Sequence, residues 1–323
     1  MANLKADDSA RLIGRLRLGN NVYAAQGAVL RSVDDSITIE NDTWILENSV
    51  LIGTKEHPLK VGSKTVFGHK CIAIGAEVGN LCEIGNCVIF LPDSKIGNMC
   101  IFGEGTIIPE GMVIPDESVV VGRPGRIIRK LTDDDKNMIA RMRGNNIKLS
   151  SFVENIVDYE SKRGNTMGKT YEYNGINPTI SESAIIYDSA EITGNVKIGD
   201  NSIIASGVRI IGNSHGPVKI GNNVQILENS VLHLLPDNEL VIEDNVIIGP
   251  GCMIHGTTIG ANSIIESGSI ICDYSKLGKN TLVKAGTLVK QRNIFNDDEI
   301  LEGYPAKNIG MNQNAQNKPA WSI

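Results

Sequence analysis

The stretch ILENSVL, residues 45–51, occurs again without change at residues 226–232. The two stretches lie 181 residues apart (226 − 45 = 181), and the same offset aligns Cys71 with Cys252. Seven identical residues, with further identities in the same register, are not expected by chance in a chain of 323 residues. The chain therefore contains two copies of one unit.

The histidines do not follow this duplication. Each copy has a histidine where the other has a proline or an isoleucine, so the two copies together hold three imidazoles at aligned positions. Three protein ligands is the number that a catalytic zinc site uses. The mismatched pairs are His69 with Pro250, Ile52 with His233, and Ile74 with His255.

Within each copy an apolar residue recurs at every sixth position. A helix would bury a residue every 3.6 positions and a half-buried strand every second one, so neither element alone fits. The period predicts a solenoid in which each hexad is a short strand plus a turn and three hexads close a coil of about 18 residues. The predicted interior positions are Val66, Ile72, Val78, Ile84, Phe90, Ile96, Phe102, Ile108, Ile114 and Val120, then Ile247, Met253, Ile259, Ile265, Ile271, Leu277, Val283, Val289, Phe295 and Leu301.

Glycines recur between these apolar positions. They are expected at the corners of the coils, where the backbone needs angles that other residues avoid. Examples are Gly85, Gly97, Gly103, Gly260 and Gly278.

The period also predicts the domain organisation. Residues 1–160 form the first β-helix with a helical appendage, residues 161–176 a linker, residues 177–311 the second β-helix and residues 312–323 a polar tail. Thr132, followed by three aspartates, is a good helix start, because it offers a capping side chain and negative charge in the first turn. A second helical stretch is expected around Phe152, Ile156 and Val157.

Composition indicates a soluble cytoplasmic protein. The net charge is −6 without a basic stripe, which argues against nucleic acid as a partner. No apolar run has transmembrane length and no secretory signal is readable, so no membrane span is expected. The six cysteines lack the spacing of a zinc knuckle or a disulfide framework, and we interpret them as small buried residues in a reducing compartment.

The six-residue pattern resembles the hexapeptide-repeat family of left-handed parallel β-helices. Within that family, both copies are most similar to the γ-class carbonic anhydrases, which read roughly V-x-R-x-D, Q-D-x-S-V-L-H, G-H-x-x-x-x-H-G and V-x-G-x-P-A-K. The second copy matches with Val208-Arg209, Leu227 to His233, Gly249-Pro250, His255-Gly256 and Gly303 to Lys307; the first matches with Leu30-Arg31, Leu46 to Ile52, Gly68-His69, Ile74-Gly75 and Gly122 to Arg126.

This resemblance implies a metal site between subunits of a trimer. In the family the first and third motif histidines come from one subunit and the middle one from its neighbour. His233 and His255 stand at the first and third positions and His69 at the middle one, so the implied ligands are His69, His233 and His255. The implied ion is zinc, with iron and cobalt as alternatives.

Catalytic residues are not identified by the sequence. Arg31, Arg209, Glu47 and Glu228 are candidates for positions around the ligands, the arginines at motif positions and the glutamates where the family has aspartate. The family glutamine is replaced by leucine in both copies, at Leu46 and Leu227.

Two further histidines lie in insertions. His57 stands beside the motif position that Ile52 occupies, where it could approach a metal in the first copy, but a solvated loop residue is the default interpretation. His215 is likewise interpreted as a loop residue.

Three functions remain open at this point. The first is hydration of CO2 by a zinc-bound hydroxide at an interface between domains, because zinc lowers the pKa of bound water to about 7. The second is acyl or acetyl transfer from a thioester cofactor, and the third is a non-catalytic trimeric scaffold. A homotrimer is expected, but like copies could stack on like copies, and the composite site would not form unless the layers met.

Overall fold

Two compact units make up the protein, Met1–Lys162 and Arg163–Ile323. The structure is a computed structural model that describes residues 4–158, 168–213, 216–313 and 317–323. Each unit has three sheets, and successive strands pass from one sheet to the next so that each sheet takes every third strand. Both units are thus parallel β-helices, as the six-residue period predicts, and the left hand follows from the family resemblance.

Unit one consists of sheets I, II and III. In spatial order, the strands of sheet I are Lys5–Ala6, Tyr23–Ala24, Trp44–Ile45, Val66–Phe67, Glu83–Ile84, Ile101–Phe102, Ser118–Gly122 and Gly125–Lys130. Those of sheet II are Arg11–Ile13, Val29–Ser32, Val50–Gly53, Ile72–Ile74, Ile89–Phe90 and Ile107–Ile108. Those of sheet III are Asn155–Asp158, Arg15–Leu18, Ile37–Ile39, Leu59–Val61, Glu77–Val78, Lys95–Ile96 and Val113–Ile114.

Unit two repeats this plan in sheets I′, II′ and III′. Sheet I′ contains Ile185–Ile186, Ile203–Ile204, Gln225–Ile226, Ile247–Ile248, Ile264–Ile265, Leu282–Val283, Glu299–Gly303 and Ala306–Met311. Sheet II′ contains Lys169–Tyr171, Glu191–Gly194, Arg209–Gly212, Val231–Leu232, Met253–Ile254, Ile270–Ile271 and Leu288–Val289. Sheet III′ contains Thr179–Ile180, Val196–Ile198, Val218–Ile220, Leu240–Ile242, Thr258–Ile259 and Lys276–Leu277.

Most predicted interior positions are buried in the two cores. The prediction is wrong by one residue at Val66, Ile72, Ile247 and Met253, because the interior residues there are Phe67, Ala73, Ile248 and Ile254. Phe295 is only partly buried.

A short coil causes this slip in each unit. Ile72 pairs with Ile89 in register, 17 residues on (89 − 72 = 17), and Met253 pairs with Ile270 at the same distance (270 − 253 = 17). A coil with one residue fewer moves the six-residue phase by one position. Regular alternation of inward and outward side chains then carries that shift to the preceding strands.

The glycines named above do not take the strained corner angles. A Cβ on Gly97 would lie 2.3 Å from Asp116 Oδ1, and one on Gly278 would lie 2.3 Å from the backbone of Asn296. These glycines are therefore required because successive coils approach closely, and the expectation of left-handed backbone angles is wrong for them. The left-handed angles fall two residues later, at Met99 (φ 53°) and Asn280 (φ 57°).

One corner of unit two is a column of asparagines in the left-handed region. Asparagine tolerates these angles better than most residues. Here each side-chain amide also donates to the next residue of the column, over distances of 2.9–3.3 Å. The column consists of Asn223, Asn245, Asn262, Asn280 and Asp298.

The predicted helix is present as α1, Asp133–Met142. Thr132 caps it: the Thr132 hydroxyl accepts from the Asp135 amide, and the Asp135 carboxylate accepts from the Thr132 amide at 2.7 Å. Ile139 is fully buried, and Arg143 forms an ion pair of 2.5 Å with Glu83 of sheet I. The helix therefore packs on its own unit.

The second predicted helix is wrong. Residues Asn155–Asp158 form a strand that pairs antiparallel with Arg15–Leu18 at the edge of sheet III. The free strand edge satisfies this backbone, and the spacing of Ile156 and Val157 does not commit the segment to a helix.

Of the segment expected to link the copies, residues 161–167 lie outside the described residues. Lys169–Tyr171 forms the first strand of sheet II′. At the other end, the backbone amide of Ile323 donates to Gln225 Oε1 of sheet I′ at 2.8 Å. Among the residues that the structure describes, no helix is long and apolar enough to cross a membrane.

Replacing Ile114 with aspartate tests the inward register. Ile114 is 1% exposed, whereas its neighbour Val113 is 64% exposed. Because the new carboxylate would be buried without a partner, we expect Ile114→Asp to lower the free energy of unfolding by about 3 kcal/mol or more, and Val113→Asp by less than about 0.5 kcal/mol. Urea denaturation measures both, and equal effects would contradict the register.

Candidate metal site

Two of the predicted ligands lie side by side at the end of sheet II′. His233 follows the strand Val231–Leu232, and His255 follows the strand Met253–Ile254, which pairs with it in register. Their ring centroids are 6.1 Å apart and their planes cross at 83°. The parallel register therefore brings the two imidazoles together, although they are 22 residues apart in sequence (255 − 233 = 22).

This spacing fits a shared metal ion. Two imidazoles bound to one tetrahedral zinc, with Zn–N of about 2.0–2.1 Å, place their ring centroids about 5 Å apart. The observed 6.1 Å differs from that distance by an amount that small side-chain rotations can supply. Nitrogen donors of this kind suit zinc, copper, iron and nickel.

A buried carboxylate lies behind one of these rings. Asp273 Oδ2 is 3.3 Å from His255 Nδ1, and the Asp273 side chain is 9% exposed. Metal-binding histidines commonly direct their second ring nitrogen to a carboxylate, which fixes the ring and leaves the first nitrogen for the metal. Sequence reasoning missed Asp273. The available signal was that Asp273 stands one 17-residue coil after Gly256 (273 − 256 = 17).

The third predicted ligand, His69, lies in unit one at the turn between sheets I and II. Its Nδ1 is 2.6 Å from Glu47 Oε2, and its side chain is 53% exposed. Glu47 occupies the corresponding turn one coil earlier, so two of the sequence candidates contact each other. His69 thus has the same arrangement as His255, with Nδ1 at a carboxylate.

The structure brings His233 together with His255, and His69 together with Glu47. At the corresponding positions of unit one, Ile52 and Ile74 are buried side chains of sheet II. Within the described part of the chain, no group of three or more His, Cys, Asp or Glu side chains could hold a metal ion.

Strand register changes the assignment of one arginine. Arg31 lies opposite Ile52, whereas Arg209 lies opposite Val231 and not beside the His233 column. The counterpart of Arg31 in unit two is Ile211, because an insertion shifted the sequence match. Arg209 Nε instead pairs with Glu191 Oε2 at 3.1 Å. Its proposed place at the motif arginine is therefore wrong.

Arg31 and Glu228 are both buried, with exposed fractions of 4% and 0%. Leu227, at the position of the family glutamine, is also fully buried. An apolar side chain there supplies no hydrogen bond to a site, so the second copy lacks that element of the family pattern.

The insertion histidines are not part of this arrangement. His57 Nδ1 lies 3.0 Å from Asp93 Oδ2, and the insertion packs against Gly75, where a Cβ would lie 2.4 Å from the His57 Cβ. His57 is thus a loop residue held by an acid. His215 lies outside the described residues.

The buried cysteines occupy positions that serine fills in neighbouring coils. Ser49 donates to the carbonyl of Gly68 at 2.7 Å, and in the next coil Cys71 Sγ lies 3.1 Å from the carbonyl of Gly85. Burial raises the pKa of Cys71 and of Cys252 to about 12. Because thiolates and not thiols bind metals, these two side chains are structural.

Comparisons with known proteins agree with this architecture. The family described as bacterial transferase hexapeptide (six repeats) matches residues 177–212 and 240–273. A protein named carbonic anhydrase from Geobacillus kaustophilus is 39% identical over 137 residues, which are 42% of this chain and 75% of that protein. A protein named gamma carbonic anhydrase 2, mitochondrial, from Arabidopsis thaliana is 29% identical over 136 residues, 40% of this chain and 49% of that protein.

Solved structures give a similar result. A hexapeptide transferase family protein from Anaplasma phagocytophilum is 29% identical, with a TM-score of 0.42, and the match covers 44% of this chain and 84% of that one. The chain spans about half the length of the Arabidopsis relative and three quarters of the Geobacillus one.

Thiol alkylation tests the structural interpretation of the cysteines. With a pKa of about 12, Cys71 and Cys252 are almost entirely protonated at neutral pH. We expect iodoacetamide to label both at least about 1000-fold more slowly in the native protein than in urea, with rates that rise as pH rises, because only the thiolate reacts. Mass spectrometry of the peptides measures this, and equal rates in the two states would contradict buried thiols.

Proposed function

Because this chain belongs to the hexapeptide-repeat, γ-carbonic-anhydrase-like family, we propose that it is a zinc metalloprotein that hydrates CO2. The observation that carries the proposal is the pair His233 and His255, two stacked imidazoles at a spacing suited to one ion. The carboxylate of Asp273 behind His255 supports it, since it leaves Nε2 of that ring for a metal.

The third ligand is His69 of a neighbouring chain. His69 is exposed, and Glu47 at its Nδ1 leaves Nε2 directed outward for coordination. The complementary loss of histidines in the two copies supports this assignment: one kind of face would join His69 with His233 and His255, and the converse face would present Ile52, Ile74 and Pro250.

Zinc held by three histidines would lower the pKa of a coordinated water to about 7 and so supply hydroxide at neutral pH. The chain's own contribution is to fix the imidazoles. Parallel register sets the spacing of His233 and His255, and the carboxylates of Glu47 and Asp273 orient His69 and His255. Leu227 and Leu46 cannot orient a water, so this step lacks the side-chain amide that the family uses.

The assembly that this site requires has more than one chain, and a homotrimer is the simplest form in keeping with the family. Within it, the site needs the His69 turn of one chain to face the His233 and His255 column of another. A trimer that packed like copies on like copies would have no site and would be a scaffold. We place the protein in the cytoplasm, where a reducing medium suits its free cysteines.

Metal content of histidine variants tests the ligand set. We expect His69→Ala, His233→Ala and His255→Ala each to weaken zinc binding by more than about 100-fold, because each removes a direct ligand, a greater loss than removal of an outer partner. His57→Ala is the matched control, since His57 also contacts a carboxylate, and it should bind zinc like the natural sequence. Elemental analysis and CO2 hydration rates are the measurements.

Other patterns in this series would contradict the proposal. If only the variants at His233 and His255 lost zinc, unit two would bind metal without unit one. If the natural sequence stayed free of metal after zinc was supplied, the carbonic anhydrase function would be wrong. Tight binding of a thioester cofactor by that protein would then favour an acyltransferase, and its absence a scaffold.

Light scattering tests the assembly. The chain has a mass of 34.8 kDa, and we expect a species of three chains over a wide range of concentrations. A monomer throughout that range would remove the neighbouring chain that supplies His69, and the proposed site with it.

A further inference from the structure

Asp273 is the most strongly engaged carboxylate near the candidate ligands. It is 6% exposed, and its two oxygens have different partners. Oδ1 accepts from the backbone amide of Leu235 at 3.0 Å, from Asn238 Nδ2 at 3.2 Å and from the backbone amide of Gly256 at 3.1 Å. Oδ2 lies 3.3 Å from His255 Nδ1.

These contacts fix how Asp273 is oriented. Three N–H donors hold Oδ1 on the side of the loop that contains residues 234–239, so the carboxylate cannot rotate without losing them. The next residue fastens the same loop, because the Tyr274 hydroxyl donates to the carbonyl of Pro236 at 3.2 Å. Oδ2 is therefore held at the His255 ring, where it can only accept a hydrogen bond.

The duplication provides an internal comparison. The offset of 181 residues aligns His255 with Ile74 and Asp273 with Pro92 (273 − 181 = 92). The copy that has the third motif histidine has the buried acid, and the copy without that histidine has a proline. The acid therefore accompanies the imidazole, and a role limited to folding the coil does not explain this pairing.

We propose that Asp273 is a positioning residue that holds His255 in the tautomer with the proton on Nδ1, which leaves the Nε2 lone pair free to bind a metal. This inference rests on the proposed function for the identity of the ligand, but the tautomer itself can be measured without metal. No annotation of the site from sequence included Asp273, because it contributes nothing to the histidine motifs.

Asp273→Asn tests the inference with almost no change in shape. The three donors at Oδ1 require the amide oxygen on the loop side, so the amide NH2 must face His255 Nδ1. His255 must then accept at Nδ1 and carry its proton on Nε2, which blocks coordination. We expect nitrogen NMR of labelled, metal-free protein under mildly alkaline conditions to show the Nδ1–H tautomer in the natural sequence and the Nε2–H tautomer in Asp273→Asn.

Zinc affinity is the second readout, with an expected loss of about 10- to 100-fold in Asp273→Asn. Asp93→Asn is the matched control, because Asp93 contacts His57 in the same way outside the proposed site, and it should leave the His255 tautomer and zinc affinity unchanged. Asn238→Ala removes one loop contact and keeps the carboxylate, so the tautomer should also stay as in the natural sequence.

An Nε2–H tautomer in the natural sequence, or no tautomer change in a folded Asp273→Asn variant, would overturn the proposal. The first of these outcomes applies even if Asp273→Asn does not fold. If the tautomer switched as expected but the natural sequence bound no zinc, the metal function would be wrong and the control of His255 by Asp273 would stand.

Discussion

Each unit depends on a narrow interior that admits one apolar side chain from each strand of each coil. Columns of these side chains remove apolar surface from water, and the hydrogen bonds between coils hold the strands in parallel register. This constraint fixes which residues face outward and how far apart they lie. The spacing of His233 and His255 is a consequence of it, since both follow strands that pair in register.

The duplication shows what that constraint leaves free. Interior residues recur in both copies, whereas surface positions have diverged: Ile52 and Ile74 stand opposite His233 and His255, and Pro92 stands opposite Asp273. Outward positions at the end of a strand change without cost to the core. One scaffold therefore carries two different surfaces, and the ligand set that we propose is divided between them.

The sequence predicted the solenoid, the two copies and helix α1, because each depends on local spacing or capping. It did not predict the inward register at Met253 and Ile254, which depends on a turn with one residue fewer, and a turn of either length fits the same glycine pattern. The place of Arg209 was wrong for a similar reason, since the insertion moved it relative to Arg31. Asp273 was not predicted because its partners lie one or two coils away in sequence.

A mixing experiment tests the central claim, that one site draws its ligands from two chains. One variant would carry His69→Ala, the other His233→Ala with His255→Ala, and the two would be unfolded together in equal amounts and refolded. Random mixing would pair an intact His69 of one chain with an intact His233 and His255 of another at about a quarter of the sites, so zinc content should return to about a quarter of that of the natural protein. Mixed oligomers that bind no zinc, while the natural sequence treated in the same way does, would contradict a site shared between chains.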